Sequence, residues 1–447
     1  ADRTVVRLDL RRVRVVETDE GEFLEGIDIG DPEFENWLSA QRARRQHPSR
    51  HDTGALLLSA PAKKRRPTAA RRKLVIECSG DVGTPLRLNE ERFGALVQKS
   101  VREILDVELV APSEVTEASD AIALRVLAID EGAGHVALRA AIYQGAAHVP
   151  LWSNTVTGQA PQMGGDIAAA TLNLCYRTSA ALVEHLVRPG DPGADDDAGF
   201  LAGAALRHMY SMLPGGLAEA ARLLKRAHEI SPKGRFLAWQ AQIAAIEYVE
   251  SGGERLAELA EQSDELCYRA IAAEGTNSNV LAAVANARLI LEDDHVAAAE
   301  LSKLAVQVNS ANPLAWDAWS YALVSVGDHK RAYSAAQTAQ ALSRDTHFRY
   351  STEFQVATTA AAIGRKSEAI TRAERARALN ARYTPALRYL VGLYADAGDI
   401  GAARTSLARL QRIEPKASAS RFVNDPDYPV KMMRRAGLVD AGRFADI

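Results

Sequence analysis

"AWDAWSYALVSVGDHKRAYSAAQTAQAL", residues 315–342, decides the fold. Apolar residues return at helical spacing on both sides of Gly327, so the stretch reads as two short helices joined by a tight turn. The same design repeats along the second half of the chain. Ala298 to Ala332 is 34 residues, Ala332 to Ala369 is 37, and Ala369 to Ala403 is 34. Gly327, Gly364 and Gly398 each stand five residues before their alanine, and Gly215 keeps that offset from Ala220. Seven residues after each alanine comes Ala227, Ala305, Ala339, Ala376 or Leu410. A period of this length marks an array of helical hairpins. The small residue lets two helices approach closely, and the glycine tolerates the turn between them.

This pattern resembles the tetratricopeptide repeat, also in "PALRYLVGLYADAGDIGAARTSLARLQRIEP" (385–415). Pro232 and Pro415 fall where that family ends its second helix. Six units are expected from about Phe200 to Ala417, the second of them ("RFLAWQAQIAAIEYVESGGERLAELAEQSDELCYRAIAAEGTN", 235–277) irregular, with a longer second helix. One repeat cannot bury its own apolar face, so the units must stack into a superhelix whose first helices line a groove. Such grooves take peptides or helices. A helical wheel puts Trp239, Asp317, Tyr321, Phe354 and Arg388 near that surface as candidate partner-binding residues. The alternative is packing between repeats for Trp239, Tyr321 and Phe354, and plain solvation for Asp317 and Arg388. The Lys/Asn set with which family members clamp a terminal carboxylate is missing at these positions, which speaks against that ligand.

Downstream, in "RFVNDPDYPVKMMRRAGLVDAG", Asp425 and Pro426 can start a short helix that turns Val430, Met433 and Leu438 inward. Residues 426–447 are therefore expected to cap the last repeat, with the repeat domain at 199–425. The tail, with its Arg-Ala-Gly-Leu motif, resembles the C-terminus of repeat-bearing bacterial regulators and cyclase-linked proteins.

Upstream, residues 74–188 alternate strands with two helices: "KLVIEC", "NEERFGALVQKSVREIL", "VELVAP", a hairpin of "AIALRVLAID" and "HVALRAAIYQ", "VPLWSNTVTG", then the long helical "DIAAATLNLCYRTSAALVEHLV". A small mixed sheet with packed helices follows. The fold class is thus multidomain, α+β and then all-α. "GAGHVA" (132–137) matches a dinucleotide-site pattern, yet the next residues alternate as a strand and no acid occurs between Glu131 and Asp166, so a hairpin turn explains both glycines. "LRVLAIDEGAGHVALRAAIYQGAAHVPLWSNTVTG" and "GGDIAAATLNL" resemble the TolB-amino-terminal-like domain, a module that precedes tetratricopeptide repeats in CadC-like regulators. Residues 189–198 form an acidic hinge, since "DPGADDDAGF" lacks the glycine and closing glutamate of a calcium loop.

At the N-terminus (1–46) a strand with Arg7, Arg11, Arg12 and Arg14 is expected, followed by the amphipathic "DPEFENWLSAQRARR" (31–45). Asp31 can cap that helix, and its acid-to-base gradient suits the helix dipole. Phe23 to Gly26 together with Phe34, Glu35, Trp37 and Leu38 resemble the start of the activation segment in the Streptomyces antibiotic regulatory protein family. That resemblance implies a transcription regulator whose DNA-binding domain is absent or lies outside this chain, with DNA, through such a domain, and RNA polymerase as further partners. Residues 47–73 are a basic linker, in which Lys63, Lys64, Arg65 and Arg66, like the four N-terminal arginines, are candidate phosphate contacts.

The net charge of −3 excludes wholesale coating of nucleic acid or membrane. Cys78, Cys175 and Cys267 lie too far apart for a zinc motif or disulfide framework and read as a reducing cytoplasm. No apolar run reaches the ~18–20 residues of a membrane span. No nucleophile elbow, phosphate loop or metal-site motif appears, so no enzyme and no cofactor are expected. The expectation is a bacterial transcription regulator, or its regulatory region, that binds a protein or peptide in the repeat groove. An assembly adaptor that never meets DNA, and the accessory region of a nucleotide-cyclase protein, are the alternatives.

Overall fold

A computed structural model describes residues 72–81, 83–114, 121–145, 147, 149–159, 169–187 and 197–447. The N-terminal strand and amphipathic helix, nearly all of the basic linker and of the acidic hinge, and the candidate phosphate contacts Arg7, Arg11, Arg12, Arg14, Lys63, Lys64, Arg65 and Arg66 lie outside the described residues.

Strands β1 (Arg72–Cys78), β2 (Val107–Leu109), β3 (Ile122–Gly132), β4 (His135–Gln144) and β5 (Trp152–Gln159) form one mixed sheet in the order β2-β1-β3-β4-β5. β1 runs parallel to β2 and β3, while β3, β4 and β5 make an antiparallel meander. Helix α1 (Pro85–Arg102) supplies the crossover that parallel β1 and β2 require. It starts four residues before the apolar period at Asn89, because Thr84 accepts the Arg87 N–H at 3.2 Å and Pro85 takes the first helical position. α2 (Ala169–Leu186) lies beside α1 on the same face of the sheet. Leu74, Ile122 and Leu124 from the strands, with Phe93, Val97 and Leu174 from the helices, make the core between them. "GAGHVA" is the β3–β4 turn, with positive φ from Gly132 to Gly134.

Twelve helices follow as six hairpins: α3 (Ala198–Ser211) with α4 (Gly216–Ile230), α5 (Gly234–Glu250) with α6 (Leu256–Glu274), α7 (Ser278–Ala287) with α8 (His295–Val308), α9 (Pro313–Ser325) with α10 (His329–Leu342), α11 (Arg349–Ala362) with α12 (Lys366–Leu379), and α13 (Thr384–Asp396) with α14 (Ile400–Gln411). The irregular second unit carries the longest of these helices, α6, at 19 residues. Every alanine of the repeat ladder is fully buried: Ala220, Ala298, Ala332, Ala369 and Ala403, then Ala227, Ala305, Ala339 and Ala376 with Leu410. Those are the crossings where only a small side chain admits the neighbouring helix. Gly327, Gly364 and Gly398 hold φ between 77° and 85°, a left-handed turn that costs other residues about 1 kcal/mol or more. Asp294, Asn312, Asp328 and Asp399 cap the helices that follow them.

Three short helices close the chain: α15 (Ala419–Asn424), α16 (Lys431–Arg435) and α17 (Ala441–Phe444). The helix expected to begin at Asp425 begins instead at Lys431, since Pro426 and Pro429 break the intervening segment. Val430, Met433 and Leu438 are buried in one cluster with Leu390 and Leu393 of α13.

The sheet domain and the hairpins belong to one unit. Their joint is polar. Glu103, at the end of α1, is almost completely buried; it accepts from Ser278 N (3.1 Å), Ser278 Oγ (2.5 Å) and Asn309 Nδ2 (2.8 Å). A carboxylate is thereby seated on the N-terminus of α7, where the helix dipole favours negative charge. Arg235 of α5 reaches Asp106 at 2.8 Å and the Arg102 carbonyl at 3.2 Å.

Candidate functional site

The six first helices converge on one cavity of about 180 Å3. Each contributes to its wall: Tyr210 from α3, Gln242 from α5, Leu289 beyond α7, Asp317 from α9, Phe354 from α11 and Arg388 from α13. The hollow is narrowed, and left open on one side, because the superhelix comes round on itself. Tyr350 Oη donates to the Tyr210 carbonyl at 2.9 Å, Thr384 Oγ1 to Glu250 at 3.0 Å, and Arg388 Nη2 to the Val249 carbonyl at 2.7 Å. Residues Pro429 to Met432 and Arg435 complete the wall, so the tail is part of the site as well as a lid on the last repeat. After Ala287 the seventh helix widens into a π turn (Arg288–Glu292), which ends at Asp293 in left-handed conformation on the lining. Such turns occur frequently at functional sites.

Of the residues singled out by the helical wheel, Asp317, Tyr321, Phe354 and Arg388 line this cavity. Trp239 does not; it lies in the core shared by α3 to α7. Solvation, the plain alternative for Arg388, is overturned: the residue is 1% exposed, with Nη2 2.7 Å from Glu414 Oε2 and its guanidinium 5.3 Å from the Tyr428 ring centre. Gln242, Glu250 and the tail residues were missed. No sequence signal separated Glu250 from Glu247 in the same last turn of α5.

Aromatic rings form much of the wall. Tyr383 meets Tyr350 and Phe354 edge-on at 4.8 and 5.4 Å, and Phe354 meets Tyr389 at 4.9 Å. Burial holds the Tyr210, Tyr350, Tyr383 and Tyr389 phenols far above their ordinary range and Tyr321 at about 12, so all stay neutral. Two carboxylates behave unusually. Burial pushes Asp317 up to about 7; burial also pushes Glu250 up to about 7, against the opposing pull of Arg388 and the Thr384 hydroxyl. Gln242 Oε1, Asp317 Oδ1 and Arg388 Nη1 are buried without a hydrogen-bond partner.

Among the described residues no group of three or more His, Cys, Asp or Glu side chains could hold a metal, and no helix is long and apolar enough to cross a membrane.

No protein-family model matches the chain, and no curated protein does. Among solved structures it is similar to a thermophilic tetratricopeptide-repeat protein of Thermus thermophilus, at 20% identity over 42% of this chain and 95% of that one, with a TM-score of 0.33. A tetratricopeptide-repeat protein with an unusual peptide-binding site, YrrB, matches at 15% identity over 44% and 94% of the two chains, TM-score 0.28. A Rap protein complexed with competence and sporulation factor matches at 14% identity over 62% and 84%, TM-score 0.37. The fold rests on the helix order of this chain, and these likenesses add nothing about its ligand.

Proposed function

We propose that the chain is a non-enzymatic receptor scaffold that takes a segment of a protein or peptide partner into the hollow of its repeat superhelix. The observation that carries this reading is the set of unpartnered polar atoms on a shared wall, Gln242 Oε1, Asp317 Oδ1 and Arg388 Nη1. A buried donor or acceptor left unmade costs about 1–3 kcal/mol, so these atoms, with Tyr389 Oη on the same wall, are a standing cost that a polar ligand would relieve. In the finer form of the proposal the scaffold is the regulatory region of a bacterial transcription regulator, and contact with DNA and RNA polymerase lies with a domain outside this chain. The phrases shared with the Streptomyces antibiotic regulatory protein family and the TolB-like order of strands support that form. The domain boundaries 1–46, 47–73, 74–188, 189–198, 199–425 and 426–447 belong to the same proposal, as does a cytoplasmic setting. An adaptor without DNA contacts is the rival.

A random peptide display selection on the full chain tests the reading, run in parallel on Ser351→Trp, which places an indole on the cavity wall. Peptides enriched by the native chain and lost by the folded variant are expected. Equal enrichment on both would remove the hollow as the binding site.

A further inference from the structure

Three cations, Arg388, Lys431 and Arg435, and three acids, Glu250, Asp293 and Asp317, line the cavity, yet they do not pair one to one. Arg388 is taken up by Glu414 at 2.7 Å. The two tail cations on the lining, Lys431 and Arg435, face Asp293 at 4.0 and 3.5 Å. Asp317 and Glu250 remain, and among the described residues neither has a Lys, Arg or His within ion-pair distance; Glu250 accepts only the Thr384 hydroxyl, with Arg388 and Arg382 further off. Around them stand the faces and edges of Tyr210, Tyr321, Tyr350, Phe354, Tyr383 and Tyr389. Carboxylates within a ring of aromatics are a cation-binding chemistry, because the ring faces are themselves electronegative.

Size limits the occupant. At about 180 Å3 the cavity is a little larger than the ~150 Å3 that holds one benzene ring, and smaller than the ~300–1,000 Å3 of drug-sized sites. One side chain fits. Two further lining atoms say that the chain bearing it enters too: Gln242 Oε1, on a residue 7% exposed, needs a donor, and Arg388 Nη1, on a residue 1% exposed, needs an acceptor. A peptide group offers both, whereas a free amine offers no acceptor.

Resting on the reading that the hollow takes a peptide segment, we infer that its anchor is a lysine or arginine side chain, held by Asp317 and Glu250 within the aromatic ring, with the adjoining peptide group meeting Gln242 and Arg388. Without the ligand the two carboxyls hold protons up to about pH 7; a bound cation favours their charged form, so binding expels protons and tightens as pH rises through that range. Tyr210, Tyr321 and Tyr383 face Asp317, and Arg388, Arg382 and Glu414 influence Glu250; the three tyrosines, held far above their ordinary range, do not titrate in that window.

Calorimetry on the full chain at pH 8 tests the inference with capped heptapeptide pools of alanine and serine carrying a central lysine, arginine, norleucine or glutamate. The lysine and arginine pools are expected to bind at least tenfold tighter than norleucine, the advantage shrinking at pH 6. Asp317→Asn and, separately, Glu250→Gln are expected to bring lysine toward the norleucine value without lowering the thermal midpoint. Equal affinity for lysine and norleucine overturns the inference, as does an Asp317→Asn variant that keeps the preference. n-Butylamine binding as tightly as the lysine pool overturns it too, since the peptide would then contribute nothing. If the norleucine or glutamate pool binds best and Ser351→Trp abolishes that binding, the peptide-binding reading stands and the cationic anchor falls. If no pool binds, both fall.

Discussion

Tyr248 Oη donates to the main-chain carbonyl of Asp427 at 2.8 Å, tying the second hairpin to the tail that follows the sixth. An array of repeats usually touches nearest neighbours alone. Here residues 179 positions apart meet, and the groove becomes a cavity.

Gly253 controls that closure. A Cβ placed there would collide with the Asp427 carbonyl oxygen, on a backbone with φ of +94°. Gly253→Ala is expected to cost about 1–3 kcal/mol and to open the tail to proteolysis after Asn424. Limited proteolysis and thermal melts check this; unchanged protection would mean the tail does not depend on the contact.

Arg388 and Glu414 are buried together, 1% and 5% exposed. Arg388→Met leaves Glu414 without its strongest partner and is expected to destabilise the fold by about 3–5 kcal/mol. Adding Glu414→Gln is expected to recover much of that loss. Chemical denaturation of the two single variants and the double variant measures the coupling. Truncation of Arg388 is therefore a poor probe of binding, in contrast to what a solvated residue would allow.

The repeats were legible in sequence because their determinants are local: an alanine where helices cross, a glycine in the turn, an aspartate or asparagine at the cap. Asp317, Tyr321, Phe354 and Arg388 were placed on the inner surface by helical phase alone. Trp239 was not separable from them by phase, because α5 is buried on most of its circumference by α4, α6 and α7. The closure by Tyr248, Thr384 and the tail, and the seat of Glu103 on α7, are contacts across more than a hundred residues, to which no periodicity points.

Glu103 is the keystone of the joint between sheet and hairpins. Burial pushes its carboxyl above the ordinary range even though Ser278 and Asn309 hydrogen-bond to it. Glu103→Ala strands the Ser278 N–H, worth about 1–3 kcal/mol when left unmade, and takes from Asn309 Nδ2 one of its two acceptors, leaving Ser100 Oγ at 3.0 Å. Loss of cooperativity, with the sheet domain melting before the hairpins, is expected by calorimetry; a single shifted transition would show that the apolar contacts of Leu342 and Ala311 suffice.

Stability should depend on pH through Asp317 and Glu250. Both stay protonated in the folded chain up to about 7, whereas the unfolded chain releases those protons near 4. The folded state binds more protons between those limits, so their contribution is fully present below pH 4 and falls as pH rises to 7. Asp317→Asn with Glu250→Gln removes this fall. Relative to that double variant, the native chain is expected to lose stability between pH 4.5 and 7 and to run parallel above it. Parallel curves throughout would contradict the assignment.

Hydrogen exchange of the full chain with and without a peptide selected on it tests the central claim most directly. Protection is expected along the inner helices α5, α9, α11 and α13 and in residues 428–435, with little change on α8, α10 and α12. Protection confined to those outer helices, with the cavity wall exchanging as before, would contradict the account.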